Sequence, residues 1–297
     1  MQLGAGSIEL PGASCVDHLA NQDAQLTERT AAVRLSVGEP MPPTPRSTNH
    51  LLQSLPAAEF EALRPHLEFV ELDRETVLVE AGARLTHVYL PQSAIISMTV
   101  RLSEGQSVEV ALVGRDSVFG VAAALDGGFA LTDAAVLLSG TASILDAAVL
   151  RAAAERSTAL RALLARHEQC LVAQAQQAAA CNASHSVEAR LSRWLLCARD
   201  LTESESLPLT QECLAQMIGV QRNAVSIVAN ALQKAGIISY SRGQIEVTDV
   251  AGLRETACEC YEAVKVRRDW LLKSSEGRPS MAVVDRVPIS ICTKARI

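Results

Sequence analysis

Aromatic residues make up only 3% of this 297-residue chain, and acidic residues outnumber basic ones, leaving a formal charge of −6. Bulk composition therefore announces no nucleic-acid partner. Long apolar runs are missing too: none approaches the ~20 residues needed to cross a bilayer, which excludes a membrane-spanning helix. No charged start followed by an apolar segment opens the chain, so secretion is not expected and the reading is cytoplasmic. CxxC pairs are absent. The eight cysteines, at positions 15, 170, 181, 197, 213, 258, 260 and 292, read as mostly buried thiols of a cytosolic protein. Cys258 and Cys260 flank Glu259 in CEC, too close for a usual structural zinc pair, and read as two thiols on an amphipathic helix. A nucleophile–base set, a metal-ligand cluster and a complete phosphate loop are also missing. No enzymatic activity, metal or cofactor is expected.

What is present is 48% hydrophobic content over a length that suggests about two domains. Charge is spread unevenly. Asn49 to Ser157 carries 7 basic and 14 acidic residues, Leu207 to Val250 carries 3 of each, and Ala251 to Ile297 carries 9 and 6. The acidity belongs to the first domain.

Residues 1–46 end in EPMPPTPR without sustained periodicity and read as a flexible leader. A strand-rich domain is expected over 47–157, opened by a short helix with Pro56 at a helix start. In AIISMTVRL, Ile96, Met98, Val100 and Leu102 alternate with Ser97, Thr99 and Arg101, and short strands between Gly, Pro and Asp turns suggest an antiparallel barrel or sandwich. The stretch GVAAALDGGFALTDAAV, Gly120 to Val136, has the small residues of a phosphate cradle but no positive side chain nearby.

A helix follows over 158–183. Leu160, Leu164, His167, Leu171, Gln174, Ala178 and Cys181 step by alternating four and three residues, which is heptad spacing. The expected reading is a parallel dimer helix, with His167 and Gln174 setting register; the alternative is a helix packed on its own domain. A winged unit is expected over 184–250, a further helix over 251–273 and a tail over 274–297. The helix spans Gly252 to Leu272, with Leu253, Ala257, Cys260, Val264 and Leu271 packed on the winged unit and Lys265, Arg267 and Arg268 turned outward, where they are solvated or touch DNA backbone.

The most specific stretch is TQECLAQMIGVQRNAVSIVANALQKAG, Thr210 to Gly236. Ala215 is small enough for two helices to approach closely, and Gly219 stands where the turn needs a left-handed backbone. Leu214, Ile218, Val220, Val225 and Val228 supply a shared core. Thr210 is the N-cap of the first helix, with Glu212 in its first turn. IISYSRGQIEVTD then alternates around Arg242-Gly243 as a β wing. A helix-turn-helix with a wing places Gln221, Arg222, Asn223 and Ser226 outward at the start of the recognition helix. Arg222 can bond a guanine edge and Asn223 an adenine edge. Arg242, Thr210 and the first-helix N–H groups would hold phosphates.

In this order of parts the chain resembles the Crp/Fnr family of bacterial transcription regulators from about Asn49 to Asp249. The sensor region carries EAG (Glu80 to Gly82), HVYLPQSAIIS, EGQSVEV and GRDSVFG, and the DNA-binding half carries LPLTQECLAQMIGVQRNAVSIVANALQKAGII. The resemblance implies an α+β fold: a cyclic-nucleotide-binding-like jelly roll, a long dimerisation helix and a C-terminal winged helix-turn-helix. It also implies a homodimer on a two-fold-related site of double-stranded DNA and contact with RNA polymerase. Against the family's Arg-Glu-x-x-Ser/Gly-Arg pattern, Arg222 and Ser226 are kept, while Asn223 replaces the glutamate and Ile227 the second arginine.

Cyclic-nucleotide-binding members carry Gly-Glu and, about ten residues later, Arg-Ser or Arg-Thr. Here those positions hold Gly120-Val121 and Leu131-Thr132, so both charged partners are lost and a buried phosphodiester would lack its counter-charge. No cyclic nucleotide is expected to bind. A four-cysteine iron–sulfur cluster is not supported either, since only Cys15 precedes position 170. A haem sensor stays open, with His87 or His167 as ligands or as ordinary structural residues. The expected function is a sequence-specific DNA-binding regulator with an unknown effector; the alternative is a protein-docking module with vestigial DNA contact.

Overall fold

A computed structural model describes residues 48–272, apart from 127 and 203. The expected leader and tail lie outside the described residues. Helix α1 (His50–Ser54) is capped by Asn49, whose Oδ1 accepts from the N–H groups of Leu51 and Leu52. The same side chain, fully buried, donates to the carbonyls of Pro91 and Ser117 at 2.9 and 2.8 Å, fastening the helix to the strands. Pro56 stands at the start of α2 (Ala57–Leu63) as expected, though a separate helical turn precedes it.

Seven strands follow: β1 (Glu68–Leu72), β2 (Val77–Val79), β3 (His87–Pro91), β4 (Ile95–Arg101), β5 (Ser107–Val113), β6 (Asp133–Leu138) and β7 (Gly140–Asp146). They pair antiparallel as two sheets, β1-β7-β3 and β2-β6-β4-β5. Val70, Val88 and Ile144 of one sheet share a core with Val79, Ile96, Val113 and Val136 of the other. The domain is a two-sheet jelly roll and not a single closed barrel. Between β5 and β6 the chain forms α3 (Val121–Asp126) where the sequence reads as a glycine-rich turn. Three alanines and a leucine in VAAALD are strong helix formers, and they prevail over the small-residue look of the stretch.

Helix α4 (Ala147–Arg156) is capped by Asp146 and the 27-residue α5 (Thr158–Ser184) by Ser157. The heptad stripe expected to form the dimer seam does not face outward. Leu160, Leu164 and Leu171 lie in the jelly-roll core. His167 is 1% exposed, with Nε2 taking 2.6 and 3.1 Å contacts from Ser117 Oγ and the Val118 N–H. Gln174 Oε1 accepts from the Leu112 N–H at 3.4 Å. Ala178 is half-buried. The periodicity is real, but the stripe packs within its own chain: its leucines enter the sensor core, His167 and Gln174 bond to residues in and beside β5, and Cys181 is buried against Cys258 and Cys260.

The winged unit contains α6 (Val187–Thr202), β8 (Ser206–Leu207), α7 (Gln211–Met217), α8 (Arg222–Lys234), β9 (Ile238–Ser241) and β10 (Gln244–Val247). Its sheet order is β8-β10-β9. It is fused to the sensor domain by a second core, in which Ile95, Leu112, Leu137 and Leu138 pack with Trp194, Leu195, Leu214, Ile218 and Val225. This explains why Ser97, on the face of β4 read as polar, is buried.

The segment from Gly252 to Leu272 is two helices, α9 (Val250–Thr256) and α10 (Cys260–Leu272), and not one. α9 packs on α6, as expected for the winged unit, while α10 lies chiefly along α5. Its basic residues turn inward. Lys265 Nζ is 2.9 Å from Asp200 Oδ2, Arg267 donates to Gln177 Oε1 at 2.7 Å, and Arg268 pairs with Asp116. Asp200 on α6 and Asp116 beside β5 hold Lys265 and Arg268, and the Gln177 amide holds Arg267, so the three are tied to their own chain and do not form a freely solvated face. The break at residues 257–259 also brings Cys258 and Cys260 beside Cys181 and His185 at the end of α5. Three thiols and one imidazole, scattered in the sequence and not read there as a cluster, are thus grouped in space.

Candidate nucleic-acid interface

Thr210 begins the site. Its hydroxyl oxygen accepts from the Cys213 N–H at 3.2 Å and caps α7. Gly219 takes φ +62 in the turn before α8, a conformation costly for a side-chain-bearing residue, and a Cβ there would press to 3.3 Å of Val108 on the sensor domain. α7 and α8 meet around Leu214, Ala215, Ile218 and Val225, each at most 3% exposed, with Val220 and Val228 packed beside them.

α8 begins at Arg222 with Gln221 as its N-cap, and Gln221, Arg222 and Asn223 are all exposed. Arg222 Nε lies 4.0 Å from Glu212 Oε2, a solvent-exposed pair that is easily exchanged for a phosphate or base. Ser226 behaves differently. Its hydroxyl is engaged with Gln211 Oε1 at 2.5 Å and the Arg222 carbonyl at 3.1 Å, so it ties the two helices together. Its i−4 contact to Arg222 holds the start of the helix.

Two residues joined to this surface were not singled out from the sequence as contacts. Gln211 orients Ser226. Ile227, 71% exposed, presents an alkyl group on the outer face of α8. The signal for Ile227 was its place where the family pattern has arginine; nothing local marked Gln211. At the wing, Arg242 and Gly243 take φ +50 and +79, a two-residue hairpin turn joining β9 to β10. A side chain at Gly243 would meet Thr210 Cγ2 at 3.5 Å, so the exposed Arg242 stands beside the N-terminus of α7. Thr210, Gln221, Arg222, Asn223 and Arg242 are thus all exposed, with Arg242 in the turn beside Thr210, Arg222 next to Glu212 in the first turn of α7, and Ser226 half-buried.

At the sensor loop, Gly120 takes φ +96, and a Cβ would fall 2.7 Å from the His87 carbonyl oxygen, so only glycine fits. Val121 is fully buried in the core, Leu131 is 93% exposed and Thr132 is half-buried. Neither of the two key positions carries a charge. His167, proposed as a haem ligand, has Nε2 committed to Ser117 and Val118, and burial pushes its pKa down to about 4. His87 contacts Thr86 Oγ1 through Nδ1 at 2.9 Å.

A sensor-type jelly roll, a long helix and a winged helix-turn-helix with an open recognition face define a DNA-binding transcription regulator. Two family models match the chain: a cyclic nucleotide-binding domain over residues 69–157 and a Crp-like helix-turn-helix domain over residues 189–256. With both in this order, the chain belongs to the Crp/Fnr family, which consists of transcription regulators and not enzymes. Among solved structures it is similar to a transcriptional regulator of that family from Eubacterium rectale (15% identity, TM-score 0.56, covering 69% of this chain and 96% of the other). It is also similar to FixK2 from Bradyrhizobium japonicum (16% identity, TM-score 0.56, covering 65% and 98%). A third is the c-di-GMP responsive regulator CLP from Xanthomonas campestris (15% identity, TM-score 0.53, covering 65% and 99%). Identities this low carry the fold alone. No curated protein matches the sequence. No helix among the described residues is long and apolar enough to cross a membrane.

Proposed function

We propose that this regulator binds a two-fold-related DNA sequence as a homodimer in the cytoplasm, and that its effector is not a cyclic nucleotide. The observation that carries the reading is the outer face of α8, where Arg222, Asn223 and Ile227 stand exposed together. Arg222 reads a guanine edge, Asn223 an adenine edge, and Ile227 packs on a thymine methyl group. Arg242 and Thr210 take phosphates. With only Arg222, Lys234 and Arg242 as cations in Leu207 to Val250, nonspecific affinity is modest, and doubling by a dimer compensates.

Support for the dimer comes from the other side of α5. Ala162, Ala165, Gln169, Val172, Gln176, Ala179 and Ala183 are all exposed and recur at alternating three and four residues. This second heptad stripe, two residues out of phase with the buried one, has alanines at both ends that let two helices approach closely, with Gln169, Val172 and Gln176 between them. Against a cyclic nucleotide stand Val121 and Leu131, which leave its phosphate without a counter-charge. Contact with RNA polymerase follows from the family resemblance alone.

The test is Arg222→Ala. Sequence-specific binding should fall by roughly 10- to 100-fold, the equivalent of about 1–3 kcal/mol, while the dimer stays folded. Wild-type protein that shows no preferred sequence would instead favour a protein-docking role with vestigial DNA contact.

A further inference from the structure

Cys181 and His185 lie four residues apart at the end of α5, on one face of the helix. Cys258 and Cys260 stand at the break that leads into α10. Their three sulfurs and one imidazole nitrogen all lie within 4.8 Å of one another. Cys181 Sγ is 3.5 Å from Cys258 Sγ, and Cys260 Sγ is 3.6 Å from His185 Nδ1. A tetrahedral ion with sulfurs at about 2.3 Å and nitrogen at about 2.0–2.1 Å has edges of roughly 3.5–3.8 Å. Two edges already have that length, and the widest closes by about 1 Å. We propose that Cys181, His185, Cys258 and Cys260 form a site for one tetrahedral divalent ion of the zinc type.

The surroundings are those such an ion needs. Gln177 Nε2 donates to Cys260 Sγ at 3.0 Å. His185 Nε2 lies 3.2 Å from Glu259 Oε1, which fixes the proton there and leaves Nδ1 for the ion. Three thiolates and a neutral imidazole around a divalent ion carry a net charge of −1. Arg190 and Arg193 interact electrostatically with Cys181 and Cys258 and offset it. The Nε atoms of both arginines are buried and have no hydrogen-bond partner among the described residues. Loading takes the three thiols to thiolates and so releases protons. The four donors are too close together to surround a multi-iron cluster. CEC works as a pair here because Cys258 lies between the two helices, after the extended Ala257, and Cys260 opens α10, so their side chains need not follow helical spacing.

The ion would pin the break before α10 to the last turn of α5, next to the join where α5 passes to α6 and the DNA-binding unit. Its test reads metal and not DNA. Reduced full-length protein carrying Cys15→Ser and Cys292→Ser is titrated with Co²⁺. The expected result is the visible absorption of tetrahedral cobalt–thiolate, saturating at one ion per chain and displaced by Zn²⁺. Cys258→Ser and Cys260→Ser should abolish it, Cys197→Ser and Cys213→Ser should leave it, and the exposed Glu259→Gln should weaken affinity by about 10–100-fold. Absence of the absorption in the parent protein would overturn the site, whatever the variants do. So would a spectrum that survives Cys258→Ser.

Discussion

The Glu109 carboxylate on β5 accepts a 2.7 Å hydrogen bond from the indole nitrogen of Trp194 on α6. Its other oxygen accepts from Ser97 Oγ at 2.9 Å. One buried acid thereby joins the sensor sheet to the DNA-binding unit. Burial pushes its pKa up to about 7, against the opposing effects of the Trp194 and Ser97 hydrogen bonds and the Arg193 charge.

Because the folded-state value lies above the ordinary 4.5, the stability that Glu109 contributes is complete below about pH 4.5 and is lost as pH rises through about 7. His167 works in the opposite direction. Its folded value is depressed to about 4, so its contribution is present above about 6.5 and is lost as pH falls towards 4. Comparing wild type with Glu109→Gln separates the two. Denaturation followed between about pH 5 and 8 should show wild-type stability declining relative to the variant as pH rises. Parallel curves would mean that Glu109 does not titrate in that window.

Association through α5 is expected to depend on Val172 and not on its neighbour Leu171. Val172 is 55% exposed in the outer stripe, whereas Leu171 is 8% exposed and in the core. Sedimentation should find Val172→Glu monomeric and folded. Leu171→Ala should cost about 2–5 kcal/mol of stability yet leave the folded fraction dimeric. The reverse pattern would return the seam to the buried stripe.

Ile227→Ala should relax the preference for thymine at one base pair of each half-site, by about 1 kcal/mol from the lost methylenes. Its exposure means folding stability should change by less than about 0.5 kcal/mol. Binding measured on paired thymine and uracil sites checks this directly, since uracil lacks the methyl group. Equal discrimination by wild type and variant would remove Ile227 from the contact.

Calorimetry with cyclic AMP or cyclic GMP should show no binding at physiological concentrations, since Val121 and Leu131 supply no charge to the phosphate. Micromolar affinity for either would show that the loop recognises phosphate by a route other than the family's.

Much of this was legible in the sequence because the constraints were local. Thr210 as a cap, Gly219 at positive φ and the Arg242-Gly243 turn each follow from the backbone conformation that a helix-turn-helix or hairpin demands within a few residues. The heptad of α5 was legible as a period but not as a direction. Two stripes of the same helix share the repeat, and only the position of the sensor sheets decides which one is covered. The inward turn of Lys265 and Arg268 depends on Asp200 and Asp116, 65 and 152 residues away. The four-residue cysteine and histidine group likewise joins two segments more than 70 residues apart, and CEC alone does not show its partners.

Selected-site sequencing with purified full-length protein, followed by footprinting, tests the central claim most directly. The expected result is an inverted repeat whose half-sites lie about one helical turn apart, roughly 10 base pairs centre to centre, with protection on both halves and loss of both in Arg222→Ala. Recovery of no enriched sequence, or of one half-site bound by a single chain, would contradict it.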